Sequence, residues 1–194
     1  MIAFVRGNYV SKTPAQVIVD VNGVGYELHI SLHTYSAIGN KDSGQLFTYL
    51  HITENAQTLF GFFELQEKQL FLQLISVSGV GATTARMMLS GLRPDEIVKA
   101  IVQGNTKQLE AIKGIGRKTA ERLIVELRDK LGKQSSETAL FPAAENNTTE
   151  QDALNALVSL GIARTAAEAA VKKSLKNSVD INLEDLIKAA LKNL

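Results

Sequence analysis

Two stretches of the chain repeat each other at a fixed offset of 35 residues, and no other feature restricts the fold so tightly. Residues 72–89 align with 107–124, which makes Gln73 and Gln108, Leu74 and Leu109, Gly79 and Gly114, Gly81 and Gly116, Thr84 and Thr119, and Ala85 and Ala120 identical pairs. Each copy reads as a helix, a Gly-(Val or Ile)-Gly turn and a second helix. Two glycines around one aliphatic residue permit a tight reversal at positive φ, and Val80 or Ile115 is placed to tuck between the helices as an anchor. The helix that follows begins with free backbone N–H groups and the positive end of its dipole, which is an anion site. A lone Gly-x-Gly is a weak signal, because most are ordinary turns. Duplication with helical flanks, and Arg117-Lys118 beside the second copy, turns it into a phosphodiester-binding pattern. Neither copy follows a strand or carries the third glycine of a dinucleotide-binding loop. In Gly116-Arg117-Lys118-Thr119 the lysine falls one place too late for a nucleotide-hydrolysing loop, and the preceding glycine of that motif is missing.

The rest of the chain is organised around this module. Nine of the eleven Phe and Tyr residues fall within 1–63, where apolar and polar residues alternate: Val17, Val19 and Val21 against Asp20 and Asn22, then Tyr26, Leu28 and Ile30 against Glu27 and His29. Period two with β-branched and aromatic enrichment predicts strands. Asn22-Gly23 and Thr13-Pro14 are turn signals, and Thr53-Glu54-Asn55-Ala56 reads as a hairpin tip between runs at 46–52 and 58–63. Five or six strands in about 60 residues suggest a small closed barrel, since closure removes exposed edges. From Glu64 the period becomes helical. Further helix starts are expected at Arg93-Pro94-Asp95-Glu96 and at Asn105, with Gln108 three residues on, and the pattern runs to about Leu131. The polar stretch after it reads as a flexible linker over 133–149. Residues 150–194 then show three short amphipathic segments, enough for a small helical bundle. Within it Leu157, Leu160 and Ile162 read as core, with an exposed share of the Leu160-Gly161-Ile162 corner free for a partner.

The net charge of +1 over 194 residues argues at first against nucleic acid, yet it is a sum over unlike modules. Residues 64–132 hold 11 Lys and Arg against 8 Asp and Glu, whereas 1–63 hold 3 against 4. With no Cys in the chain, disulfide scaffolds, thiol nucleophiles, zinc fingers and iron–sulfur clusters are excluded. His29 and His33 lie in a strand-to-loop stretch where a spacing of four gives no common face, so no metal site is expected. The longest uncharged stretch, Gln69 to Ala85, is 17 residues and contains Gln, Ser, Thr and Gly, too short and too polar to span a bilayer. No basic region followed by an apolar run opens the chain, and a cytoplasmic protein without a membrane partner is expected.

The duplicated segments resemble helix-hairpin-helix motifs, and Gly114-Ile115-Gly116-Arg117-Lys118-Thr119-Ala120-Glu121-Arg122-Leu123-Ile124-Val125-Glu126-Leu127 closely resembles the second such motif of the RuvA family, the Holliday-junction-binding subunits of the bacterial branch-migration machine. The opening Met-Ile-Ala-Phe-Val-Arg-Gly, the 21–27 and 56–62 segments and the 156–161 segment look like that family too. Only the linker stands outside the likeness.

That resemblance implies an α+β multidomain fold: an OB-fold β-barrel at 1–63, a central all-α domain with two helix-hairpin-helix motifs at 64–132, and a three-helix module similar to ubiquitin-associated domains at 150–194. It implies a DNA-binding subunit that is not itself an enzyme, with no catalytic residue and no cofactor. In that role a homotetramer, with an octamer on DNA as the open alternative, holds a four-way junction in a planar form for recombination and repair. The C-terminal module would engage the hexameric ATPase RuvB, with the resolvase RuvC as a further partner. Carried over residue by residue, the DNA-binding positions are Gly79, Val80, Gly81, Thr83 and Thr84 in the first hairpin, and Gly114, Ile115, Gly116, Arg117, Lys118 and Thr119 in the second. Thr83 departs from the family pattern, which commonly has Lys there, so the first hairpin relies on main-chain and hydroxyl donors; Arg86 either compensates or is a solvated helix-face residue. The hairpin tip resembles the family's acidic pin: Glu54 matches, and Asn55 replaces the second acid. As residues alone, that tip is an ordinary solvated turn. A carboxylate near the crossover would repel phosphates and bias strands toward separate arms. The alternative is a helix-hairpin-helix DNA glycosylase or lyase, whose hairpin Gly-Arg-Lys-Thr-Ala also resembles. That chemistry needs a base-flipping pocket and a carboxylate after the next helix, where this chain has Gln134-Ser135-Ser136-Glu137.

Overall fold

The computed structural model describes residues 1–137, 149–175 and 182–193, and divides into two compact units, Met1–Ser136 and the part from Glu137 onward. In the first unit five strands, β1 (Phe4–Lys12), β2 (Gln16–Val21), β3 (Val24–Ile30), β4 (Ser43–Ile52) and β5 (Gln57–Phe62), close into a barrel in the order β1-β2-β3-β5-β4. All neighbours are antiparallel except β3 and β5, which pair in parallel through His29 with Phe60 and Ile30 with Gly61. The period-two pattern translates directly into burial: Val17, Val19, Leu28 and Ile30 fill the interior beside Val5, Ile38 and Leu46. Asn22 and Gly23 both take positive φ (53° and 88°), the two-residue turn that suits the strand twist, and the Gly23 N–H donates to Asp20 Oδ1 at 2.8 Å. Gly7 is required by close approach, since a Cβ there would fall 2.0 Å from the Asp20 carbonyl oxygen on the neighbouring strand.

The stretch after Ile30, expected as a loop, is a short helix, α1 (Leu32–Ile38). Seven residues are too few to display a helical period, and the helix is capped by Ser31, whose side chain accepts from the Thr34 N–H at 3.0 Å. His33 therefore sits on a helix and His29 on a strand, where His29 meets Gln16 and Glu27.

Five helices follow the barrel in sequence, α2 (Leu65–Ile75), α3 (Ala82–Gly91), α4 (Pro94–Val102), α5 (Thr106–Glu110) and α6 (Arg117–Glu137), and α7 (Thr149–Ser159) comes first in the second unit. The α4 and α5 starts fall at the expected signals, with the Arg93 N–H donating to Glu96 Oε2 at 2.9 Å and Asn105 Oδ1 accepting from the Gln108 N–H at 3.2 Å. Phe71 of α2 packs at a tilt against the strand aromatics Phe60, Phe62 and Tyr49, with ring centroids 5.1, 4.9 and 5.6 Å away, so Phe60 and Phe62 of the barrel join the apolar core of the helices. A polar knot lies at the same seam. Glu67 is fully buried and accepts from the Ser31 hydroxyl and, at 2.6 Å, from the Thr34 hydroxyl, while Thr34 Oγ1 accepts the Phe63 N–H at 3.0 Å. Burial pushes the Glu67 carboxyl above its ordinary value, although the two hydroxyls and nearby His33 act the other way.

Helix α6 continues to Glu137, through five residues assigned to the linker from their polarity, because 133–137 contain no proline and one preceding glycine weakens a helix without ending it. Of the linker expected at 133–149, residues 138–148 lie outside the described residues. The second unit is a three-helix cluster of α7, α8 (Arg164–Leu175) and α9 (Leu183–Lys192) around Leu154, Leu157, Val171 and Leu186. Leu157 is core as expected and Ile162 packs against it, but Leu160 is 65% exposed, because Gly161 at φ 89° turns the chain and leaves that side chain outside. Among the described residues no helix is long and apolar enough to cross a membrane.

Candidate nucleic-acid interface

The two copies of the repeat fold alike down to individual hydrogen bonds. Gly79 and Gly114 sit at φ 93° and 94°, where only glycine is comfortable, and each lets the chain reverse so that the Val80 N–H reaches the Val77 carbonyl (3.0 Å) and the Ile115 N–H the Ile112 carbonyl (3.1 Å). The intervening Val80 and Ile115 point inward and are each 5% exposed, contributing about 2 kcal/mol of apolar burial apiece. The second glycine of each pair has a different part. Gly81 is the extended N-cap of α3 (φ −81°, ψ 167°), and a Cβ on Gly81 or Gly116 would meet nothing within 4 Å. Only the first glycine is demanded by backbone conformation; the second leaves room for something to approach.

What approaches would meet unpaired donors. The first helical bonds are Ala85 N–H to Gly81 (2.9 Å) and Ala120 N–H to Gly116 (3.0 Å), which leaves the N–H groups of Ala82, Thr83 and Thr84, and of Arg117, Lys118 and Thr119, without acceptors among the described residues. No side chain caps α3, and Gly116 has none with which to cap α6. The two hairpins also lie side by side: the Cβ position of Gly79 is 4.0 Å from Thr119 Oγ1, and that of Gly114 is 4.0 Å from Thr84 Cγ2. Reciprocity between equivalent residues is the mark of a pseudo-two-fold pair. The arrangement therefore presents two sets of unpaired N–H donors suited to anions, with Gly79, Gly81, Thr83, Gly114, Gly116, Arg117 and Lys118 exposed and Thr84 and Thr119 half-buried.

Charge is distributed unevenly between the copies. Arg117 Nε donates to Glu121 Oε1 at 2.9 Å, and this contact, together with the charge of Glu121, raises the guanidinium's pKa; Lys118 makes no ion pair among the described residues. Arg86, whose part the sequence left open, donates from Nη1 to the Ala15 carbonyl at 2.9 Å and so ties α3 to the β1–β2 loop of the barrel. Two residues of this region were missed. Arg122 Nη1 donates to the Ser78 carbonyl at 3.1 Å, crossing from the second hairpin's helix to the first hairpin's loop. Its counterpart at offset 35 is Met87, whose Cε lies 3.2 Å from the Cβ position of Gly114, so the pairing was latent in the repeat. Far from the hairpins in sequence, Thr53-Glu54-Asn55-Ala56 is the exposed tip expected, closed by the Thr53 N–H to the Ala56 carbonyl at 2.9 Å, and the Glu54 and Asn55 side chains have no partner among the described residues.

Comparison with known proteins agrees with this construction. Family models described as the RuvA N terminal domain, a SAM-like helix-hairpin-helix tandem and the RuvA C-terminal domain match residues 1–61, 71–129 and 148–194. Proteins of Flavobacterium psychrophilum (45% identical, all of both chains), Amoebophilus asiaticus (47%, 99% of this chain and all of the relative) and Bacteroides fragilis (45%, all of both chains) each bear the name Holliday junction branch migration complex subunit RuvA. With matches of this identity over its whole length, the chain belongs to the RuvA family.

Proposed function

We propose that this chain binds four-way DNA junctions through their phosphate backbones, without reading sequence, and holds them open in the cytoplasm for a partner motor in recombination and repair. The observation that carries the reading is the side-by-side pair of uncapped hairpin helices, each with three free N–H donors behind a glycine that leaves its approach clear. Such donors take phosphate oxygens and carry no base information, as sliding through every sequence requires. In this reading residues 64–132 grip a duplex arm at Gly79, Val80, Gly81, Thr83 and Thr84 and at Gly114 to Thr119. Residues 1–63 form the centre of a homotetramer, where Glu54 repels the crossing strands and Asn55 halves the acid count of each pin. The exposed Leu160 corner of 150–194 faces the hexameric ATPase RuvB.

The test is a titration of the purified chain against a synthetic four-way junction and a linear duplex of equal length. The junction should bind far more tightly, with affinity falling steeply as salt rises. Equal affinity for the two substrates would sink the junction assignment. A covalent adduct with abasic DNA trapped by borohydride would instead favour a lyase, a reading that no relative's name supports.

A further inference from the structure

The repeat exposes an asymmetry that the backbone donors alone do not resolve. At offset 35 the second hairpin has Arg117 and Lys118 where the first has Ala82 and Thr83, and Lys113 where the first has Ser78. From Ser78 to Ala85 the first hairpin contains no charged residue at all, whereas Lys113 to Ala120 contains three cations. Arg86, the nearest cation in the first copy's own sequence, is turned away to the Ala15 carbonyl. Two equivalent phosphate sites on one surface would then differ strongly in charge.

We propose that Arg122, carried on the second hairpin's helix, supplies the cation of the first hairpin's phosphate site. The geometry supports it in three respects. Its guanidinium is fixed inside the first hairpin by the 3.1 Å bond from Nη1 to the Ser78 carbonyl, directly before Gly79. That bond uses one of five N–H donors, and the planar fork leaves the rest for a phosphate. The side chain is 52% exposed, and its only ion pair among the described residues, Nε to Glu126 Oε1 at 3.9 Å, is a long and solvated one that yields readily to a phosphate. Arg122 thus serves twice, positioning the first loop and charging it, while Met87 in the equivalent place of the first copy offers only an apolar contact to Gly114.

The proposal rests on the phosphate-binding reading above, and its test separates the two. Salt dependence of affinity is measured for the unmodified chain, Arg122→Gln, Arg122→Lys, Thr83→Lys and the double variant Arg122→Gln with Thr83→Lys, on both junction and linear duplex. Arg122→Gln should lower the slope of log affinity against log salt by about 0.9 per bound subunit, the loss of one neutralised phosphate. Arg122→Lys should keep most of the slope, and Thr83→Lys should restore it in the double variant. A purely structural Arg122 predicts weaker binding with the slope unchanged and no rescue by Thr83→Lys; that result overturns the proposal. If the unmodified chain shows no junction preference, the functional reading fails, and the slopes on duplex still decide the role of Arg122. Absence of binding to either substrate overturns both.

Discussion

Replacing each glycine of the first hairpin in turn should separate what the turn needs from what its ligand needs. At Gly79, φ 93° forces an alanine into a region that L residues rarely occupy, at a cost of about 1–3 kcal/mol, of which the stiffer unfolded chain returns about 0.4–1. The net loss is about 1–2 kcal/mol, a fall of roughly 3–8 °C in the melting temperature of a unit this size. At Gly81 the backbone is already extended and the space is empty, so Gly81→Ala should change stability by no more than about 0.5 kcal/mol. Under the proposed function, its methyl group would fill open space through which a phosphate reaches the Ala82–Thr84 N–H groups. Losing that approach should weaken junction binding at least tenfold, or about 1.4 kcal/mol. Calorimetric melting and fluorescence-anisotropy titration with a labelled junction measure the two quantities on the same preparations. Full affinity in a stable Gly81→Ala protein would refute the claim that the open face of this hairpin is the phosphate seat.

Other consequences follow from the same geometry. Lys118→Ala should reduce junction affinity uniformly across sequences and lower the salt slope by about 0.9 per subunit; an altered sequence preference in a selection experiment would contradict backbone recognition. Ile115→Ala removes most of a side chain that is 5% exposed, and should cost about 2–4 kcal/mol of stability by denaturant titration, more than Lys118→Ala by a wide margin. Glu67 has its carboxyl pushed above the ordinary 4.5 by burial, so the folded chain holds that proton more firmly than the unfolded one. Its contribution is complete below about pH 4.5 and is lost as pH rises through the folded value; measured against Glu67→Gln, the unmodified protein should gain stability as pH is lowered from 7 toward 4.5, and a parallel pair of pH profiles would contradict this.

Much of this architecture could be read from residue order because local and global signals agree. The alternation at 17–30 is both a strand period and the list of barrel interior residues, and the offset-35 repeat specifies turn, anchor and donor set together. What escaped was carried by contacts distant in sequence. Glu67 reads as the polar face of an amphipathic helix, and only the placement of α1 beside α2 makes it a buried acceptor for Ser31 and Thr34. Arg86, left open between a compensating cation and a solvated helix-face residue, is decided by the Ala15 carbonyl 2.9 Å away, and nothing in residue order marks the bond from Arg122 to the Ser78 carbonyl. In the second unit Leu160 followed the apolar period of α7, yet the helix ends before it and the Gly161 turn leaves it outside. The helical 133–137 segment escaped for a related reason: polarity alone does not end a helix when no breaker is present.

In the proposed function, duplicated hairpin N-termini seat phosphates on every arm of a four-way junction. Ethylation interference on the bound junction tests it directly, because an ethylated phosphate loses the charge and oxygen that the N–H donors require. Interference is expected at equivalent backbone positions on all four arms, independent of arm sequence, with a subset of those positions fading in Gly81→Ala protein and a different subset in Gly116→Ala. Interference confined to one arm, following sequence, or unchanged by both substitutions would contradict it.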